Sequence, residues 1–170
     1  RAIKVELKRF PGVFPARSFL QKLDAQGQEL GSPIYAGFDH LLATSILPDA
    51  SGGVKVLGYA RINNTGNYKV VLNSYADNGD FVGQSIYEAA NEGLLPSDII
   101  RTADGGMLIT ANSSGGEAML IKTDNTGAEV SRTGYANSGR FKVVAEQENG
   151  SGYRILVQKQ NASLVHLGLL

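Results

Sequence analysis

SDIIRTADGGMLITANSSGGEAMLIKTDNTGAEVSRTGY, residues 97–135, alternates short apolar runs with turns. Ile99 and Ile100 lead into Asp104-Gly105-Gly106, Met107 to Ile109 into Ser113-Ser114-Gly115-Gly116, and Met119 to Ile121 into Asp124-Asn125-Thr126-Gly127. A last segment ends at Gly134-Tyr135. Apolar runs of this length bounded by Gly, Asn and Asp are strands joined by hairpin turns. Four strands and three turns follow, with no helical stretch between them.

The same plan recurs on both sides of this stretch. DxxG or DxG turns stand at Asp24-Ala25-Gln26-Gly27, Asp77-Asn78-Gly79 and Asp124 to Gly127, a spacing of about 50 residues that suits a repeated four-stranded unit. We assign Asp24, Asp77 and Asp124 to one equivalent position. Tyr35, Tyr87 and Tyr135 close the segments after these turns, and Gly52-Gly53, Gly105-Gly106 and Gly150-Ser151-Gly152 precede a second strand. Asp-Gly and Asn-Gly steps supply the positive backbone angles that tight hairpins need.

Strands are expected at Ile3 to Lys8, Ser18 to Leu23 and Glu29 to Tyr35 in a first unit, and at Leu42 to Leu47, Val54 to Ile62, Tyr68 to Tyr75 and Phe81 to Tyr87 in a second. The quoted stretch is the third unit. A fourth holds Phe141 to Glu146, Tyr153 to Lys159 and Leu164 to Leu169. Continuous runs such as Val70-Val71-Leu72 imply strands covered on both faces. Ser85 to Leu95 is the best helix candidate, but Gly93 and Pro96 break it and it is read as a loop.

The composition bounds the function. In 170 residues, 16 Lys plus Arg balance 16 Asp plus Glu without a block of either sign, which excludes a field that would favour nucleic acid or an anionic membrane. No cysteine is present, so disulfides, thiolate chemistry and cysteine-based zinc sites are excluded together. No run is long and apolar enough for a signal segment or direct membrane insertion.

Phe19-Leu20-Gln21-Lys22-Leu23-Asp24-Ala25-Gln26-Gly27 and Met119 to Gly127, with Ile100-Arg101-Thr102-Ala103-Asp104-Gly105-Gly106 before the second, carry a family resemblance. They resemble the blade repeat of bacterial surface and secreted β-propellers, common in Bacteroidetes-type lipoproteins. The resemblance covers most of residues 18–160, and where the family usually has an aromatic after the turn this chain has Leu30, Phe81 and Val130. It implies an all-β fold, a β-propeller-like array of four-stranded antiparallel blades, with units at about 1–37, 38–90, 94–136 and 140–170 in one domain. The first unit lacks its innermost strand and the last its outermost, so the array is expected to be part of a larger ring, half of a homodimeric ring or a four-bladed form. A two-sheet β-sandwich is the alternative. The resemblance also implies an exported protein: periplasmic, on the outer-membrane surface or extracellular.

Candidate chemistry is sparse. The repeated aspartates fit Asx turns that cap their own backbone better than a calcium site, which wants six to eight oxygen ligands. His40 and His166 are the two histidines and have no metal-ligand spacing. No nucleophile elbow, P-loop or dinucleotide fingerprint occurs, so no catalytic residue, metal or cofactor is expected. Three triplets, at Asn63, Asn112 and Asn161, match glycosylation acceptors.

Loop length is more informative. The short turns fall on one rim, and the opposite rim is expected to carry the longer connections: Phe10 to Arg17, Gly37 to His40, Asn63 to Asn67, Ala89 to Pro96, Asn112 to Gly116 and Ala136 to Arg140. Loops on a rigid scaffold carry binding groups. The candidates are Phe14, Arg17, Phe38, Asp39, His40, Asn63, Asn64, Asn91, Glu92, Asn112 and Arg140. The expected function is non-enzymatic binding of a protein or glycan partner. Alternatives are a carbohydrate-active hydrolase using Asp39, Glu92 or Asp98, and an assembly subunit pairing through exposed edges in a homodimer or larger complex.

Overall fold

A computed structural model describes residues 2–8, 17–35, 41–61, 66–147, 152–159 and 166–169. These residues form fourteen strands in four sheets, all paired antiparallel between chain neighbours, with no helix among them. The first sheet contains β1 (Ala2–Lys8), β2 (Arg17–Leu23) and β3 (Glu29–Tyr35). The second contains β4 (Leu42–Pro48), β5 (Val54–Ala60), β6 (Lys69–Tyr75) and β7 (Phe81–Tyr87). The third contains β8 (Leu94–Arg101), β9 (Met107–Ser113), β10 (Ala118–Thr123) and β11 (Glu129–Tyr135). The fourth contains β12 (Arg140–Glu146), β13 (Tyr153–Gln158) and β14 (His166–Leu169). The all-β expectation holds, and every described strand lies within a few residues of its expected place. Ser85 to Leu95 contains no helix: it ends β7, crosses a short connection and begins β8.

The turns explain themselves from the backbone. Residues 24–28, 49–53, 76–80, 102–106, 113–117 and 124–128 share one five-residue form. In each, the first amide donates to the fifth carbonyl and the fourth amide to the first carbonyl. The fourth residue is always glycine at positive φ, as at Gly105 (+83°) and Gly127 (+98°), a conformation that costs an L side chain about 1–2 kcal/mol. The glycine pairs have a second cause. A Cβ at Gly53 or Gly106 would collide with the carbonyl oxygen of Tyr75 or Thr123 on the neighbouring hairpin.

One expectation about these turns is corrected. Asp24 and Asp124 occupy the first turn position, but Ala76 does so in the second sheet, because its amide closes on Asp80. Asp77 is therefore one residue out of register, and its carboxylate pairs with Lys22 of the first sheet at 3.5 Å. The capping role passes to Asn78, whose Oδ1 accepts from the Asp80 amide.

Packing runs from each sheet to the next, and among the described residues the row of four does not close on itself. The alternation of side chains along a strand makes this possible. On β9, Met107, Ile109 and Ala111 face the second sheet and bury against Leu57, Val70, Leu72 and Tyr87. Leu108 faces the other way, in a cluster with Phe141, Val144 and Ile155 of the fourth sheet. β10 alternates likewise, with Met119 and Ile121 in the first cluster and Ala118 and Leu120 in the second. A third cluster, of Leu20, Val54, Val56 and Tyr75, joins the first and second sheets. Each fully buried aliphatic side chain contributes roughly 1.5–3 kcal/mol.

Two further contacts repeat. The leading strands β4, β8 and β12 pack against one another in order and each carries a bulge at the same place, at Ala43/Ser45, Pro96/Asp98 and Phe141/Val143. On the far side of the sheets, the turn before each final strand abuts the final strand of the preceding sheet. Gly79 lies against Ile34, and Gly127 lies against Ser85 and Leu72 with its carbonyl accepting from the Tyr87 hydroxyl at 2.7 Å. The tyrosine that ends β7 therefore latches the turn that begins β11.

Replacing Gly106 with alanine is expected to cost about 1–3 kcal/mol, because the backbone oxygen of Thr123 must move; the urea midpoint of unfolding measures it. Burial of the Tyr87 hydroxyl raises its pKa from 10.0 to about 12. The neutral phenol is the favoured native form, so its contribution is complete below pH 10 and is lost as pH rises through 12. Urea unfolding of the wild type and Tyr87→Phe, compared from pH 8 to 12, is expected to give a constant stability gap to about pH 10 that shrinks by roughly 2–3 kcal/mol above it.

Candidate functional site

In an up-and-down sheet, successive connections fall at opposite ends of the strands. One end carries the turns at 24–28, 49–53, 76–80, 102–106 and 124–128. The opposite end carries the connections at 88–93, 113–117 and 136–139, with Arg61 and residues 66–68 beside them, and of the expected binding residues Asn91 and Glu92 fall there.

The connections at that end of the second and third sheets are fastened together. The Leu94 amide donates to the Tyr68 carbonyl at 2.8 Å, and the Ser114 amide donates to the Gly93 carbonyl at 2.8 Å. The Gly93 amide donates to Ser114 Oγ at 3.1 Å, and the Gly115 amide to Glu92 Oε2 at 3.3 Å. Beside them, Tyr59 and Tyr68 meet edge to face with ring centroids 5.3 Å apart. The exposed Arg61 guanidinium stands 4.5 Å over the Tyr68 ring. A contact of this kind is worth about 0.5–1 kcal/mol at an exposed site and fixes an otherwise mobile cation. Tyr59, Arg61 and Tyr68 were not singled out by sequence, because their proximity depends on the register of β5 with β6.

The expected site residues separate into three groups. Phe14, Phe38, Asp39, His40, Asn63 and Asn64 lie outside the described residues. Asn91 and Glu92 fall together in the fastened connection, with Asn91 exposed and Glu92 half-buried. Arg17, Asn112 and Arg140 were expected in loops and are corrected to strands: Arg17 begins β2 opposite Lys8, Arg140 begins β12 opposite Gln158, and Asn112 lies within β9. The 112–116 connection is also not a long loop. Its closure at Ser113 and Glu117 is the same five-residue turn as at the other end.

Asn112 is occupied by structure. Its Oδ1 accepts from the Phe141 amide at 2.8 Å, and its Nδ2 donates to the Phe141 carbonyl and to Ser97 Oγ, each at 3.0 Å. The side-chain amide thus reads as one more rung of β-ladder between the third and fourth sheets. A glycan on Nδ2 would break that rung. Asp98 plays a similar part on β8, where Oδ1 accepts from Ser45 Oγ at 3.0 Å and Oδ2 from the Val144 amide at 3.3 Å. One carboxylate therefore ties the leading strands of three consecutive sheets.

This geometry limits the chemistry of the carboxylates. Glu92 lies in the bend before β8, while both carboxylate oxygens of Asp98 are engaged by Ser45 and Val144, whereas the two carboxyls of a glycosidase stand about 5–9.5 Å apart and face one substrate. At the opposite end the turn aspartates bond to their own turns. Asp124 Oδ1 accepts from the Thr126 hydroxyl and from the amides of Thr126, Gly127 and Ala128, and these bonds lower its pKa, the hydroxyl most. Asp104 is held well below the usual carboxylate range by Lys122 first, then Thr102 and the Gly106 amide. Among the described residues, no group of three or more His, Asp or Glu side chains could hold a metal ion, and no helix is long and apolar enough to cross a membrane. No protein-family model matches the chain, and no curated protein is similar to it.

Asn112→Ala removes three hydrogen bonds and strands the Phe141 amide and carbonyl. The expected loss is about 1–3 kcal/mol, seen in urea unfolding and as faster hydrogen exchange at the Phe141 amide.

Proposed function

We propose that this chain is part of a β-propeller and serves as a non-enzymatic binding module. In that reading each sheet is a blade, β4, β8 and β12 are innermost strands, and the row belongs to a larger ring. The recurrence of strand order, leading-strand bulge and sheet-to-sheet contact supports the propeller reading. The observation that carries the binding reading is the set of four hydrogen bonds that fasten residues 92–94 to Tyr68 and to the 113–117 turn. Loops held before binding lose less conformational freedom when a partner arrives. Asn91 is exposed in the 88–93 connection, and Arg61 lies over the Tyr68 ring beside Tyr59, which together offer polar and aromatic groups at this end of the sheets.

The partner is a protein or a glycan: aromatic rings and a planar guanidinium serve both, and the balanced charge does not favour nucleic acid. An exported setting at a bacterial surface accords with the blade-repeat resemblance. Screening the chain against glycan and peptide arrays tests the reading. A binder is expected in one of the two sets, with Arg61→Ala combined with Asn91→Ala weakening it about tenfold or more and leaving the thermal midpoint within a few degrees. No binder in either set, or binding indifferent to both substitutions, rejects it.

A further inference from the structure

Among the described residues, Asn78 is the one asparagine followed by glycine; Asn149-Gly150 repeats the pair outside them. The pair matters chemically, because glycine has no Cβ to shield its amide nitrogen and is free to turn that nitrogen onto the carboxamide before it. Asn78 is exposed and takes third place in the 76–80 turn. Asn67, Asn91, Asn125 and Asn137 precede Tyr68, Glu92, Thr126 and Ser138, whose side chains crowd the same approach.

Both ends of the Asn78 carboxamide are held by one neighbour. Oδ1 accepts from the Asp80 amide at 3.0 Å, and Nδ2 donates to Asp80 Oδ2 at 2.7 Å. The bond to Oδ1 draws electron density from Cγ and makes it a better target for a nucleophile. The nearest nucleophile along the chain, the Gly79 nitrogen, is engaged: its N–H donates to the Ala76 carbonyl at 2.9 Å. A nitrogen whose proton is held in this way does not attack. One hydrogen bond therefore separates an activated carboxamide from the amide beside it, and a surface turn is a place where single bonds open without global unfolding.

We propose that Asn78 is a modification site, where the chain loses ammonia and becomes aspartyl or isoaspartyl when the bond from Gly79 to Ala76 opens. The Gly79 nitrogen bonds to Asn78 Cγ and gives its proton to hydroxide. The Cγ–Nδ2 bond breaks, and Nδ2 leaves as ammonia with a proton from water. Water then opens the cyclic imide at either carbonyl. Both products put a carboxylate where Nδ2 donated to Asp80, so a donor facing an acceptor becomes two acceptors of like charge. The isoaspartyl product also adds a methylene to the main chain before Gly79, which lies against Ile34 of β3 with no room for even a Cβ. Asp77 of the same turn pairs with Lys22 of β2 at 3.5 Å. The 76–80 turn is thus a joint between the first and second sheets, and the reaction loosens it. This site is separate from the loop surface proposed above.

Incubation of the whole chain at mildly alkaline pH, followed by peptide mapping that separates aspartyl from isoaspartyl forms, tests the proposal. Asn78 is expected to convert ahead of Asn67, Asn91, Asn125 and Asn137. Its rate in the native chain is expected to be about fivefold or more below its rate in urea, because only the opened turn reacts. Ion exchange then isolates the converted chain by its added negative charge. Hydrogen exchange on that fraction is expected to run several-fold faster in β2 and β3 than in the unconverted chain, with β9 and β10 unchanged. Three results would overturn the proposal: an intact Asn78 while the other asparagines convert, a native rate equal to that in urea, or a converted chain whose first sheet exchanges as before.

Discussion

Burial on both faces of the middle sheets is the constraint on which the structure depends. A sheet with one solvated face can alternate polar and apolar residues, but β9 cannot, because Leu108 and Ile109 are both buried in opposite directions. The side chains of such a strand have no choice of environment, and a one-residue slip would exchange one core for the other. Register is instead held at the strand ends, where five-residue turns with glycine in fourth place fix the crossing. Tight turns and two-sided burial therefore work as a pair: the turns set which side chain faces which neighbour, and burial stabilises the result.

Polar groups do the complementary work of joining one sheet to the next. A sheet edge ends in unpaired amides and carbonyls, and these need partners wherever the neighbouring sheet covers them. Asn112 supplies a side-chain imitation of a backbone rung to Phe141, Asp98 bridges Ser45 and Val144, and Tyr87 reaches the carbonyl of Gly127. Each lies between sheets rather than within one. The polar residues of the chain are thus as much architectural as they are available for ligands, and the same residue type performs both jobs a few positions apart, as Asn91 and Asn112 illustrate.

Sequence made the strands legible because their ends are punctuated by glycine and aspartate, and the bounds of β3 and β7 could be read without error. It failed at Asp77, where an Asp-Asn-Gly string has the right composition one residue out of phase with the turn that Ala76 begins. Local motif and backbone phase are separate properties, and composition reports only the first. Asn112 was misplaced for a related reason. An Asn-Ser-Ser-Gly-Gly string resembles a loop, yet its first residue is within a strand whose neighbour, Phe141, is far away in sequence. Long-range contacts of this kind leave no local trace. The Tyr59, Arg61 and Tyr68 grouping was invisible on the same ground, whereas Asn91 and Glu92 were found because their connection announces itself by Gly93 and Pro96.

The sharing of core clusters between consecutive sheets has a consequence for how the molecule comes apart. Among the described residues each sheet is stabilised through its neighbours, and the second and third, which share the largest cluster, have support on two sides, while the first and fourth have it on one. In an array of nearest-neighbour units, loss of an outer member removes one interface and leaves the next intact. Unfolding is then a graded peeling from the flanks inward, and the slowest-exchanging amides belong to β9 and β10, at the centre of the row.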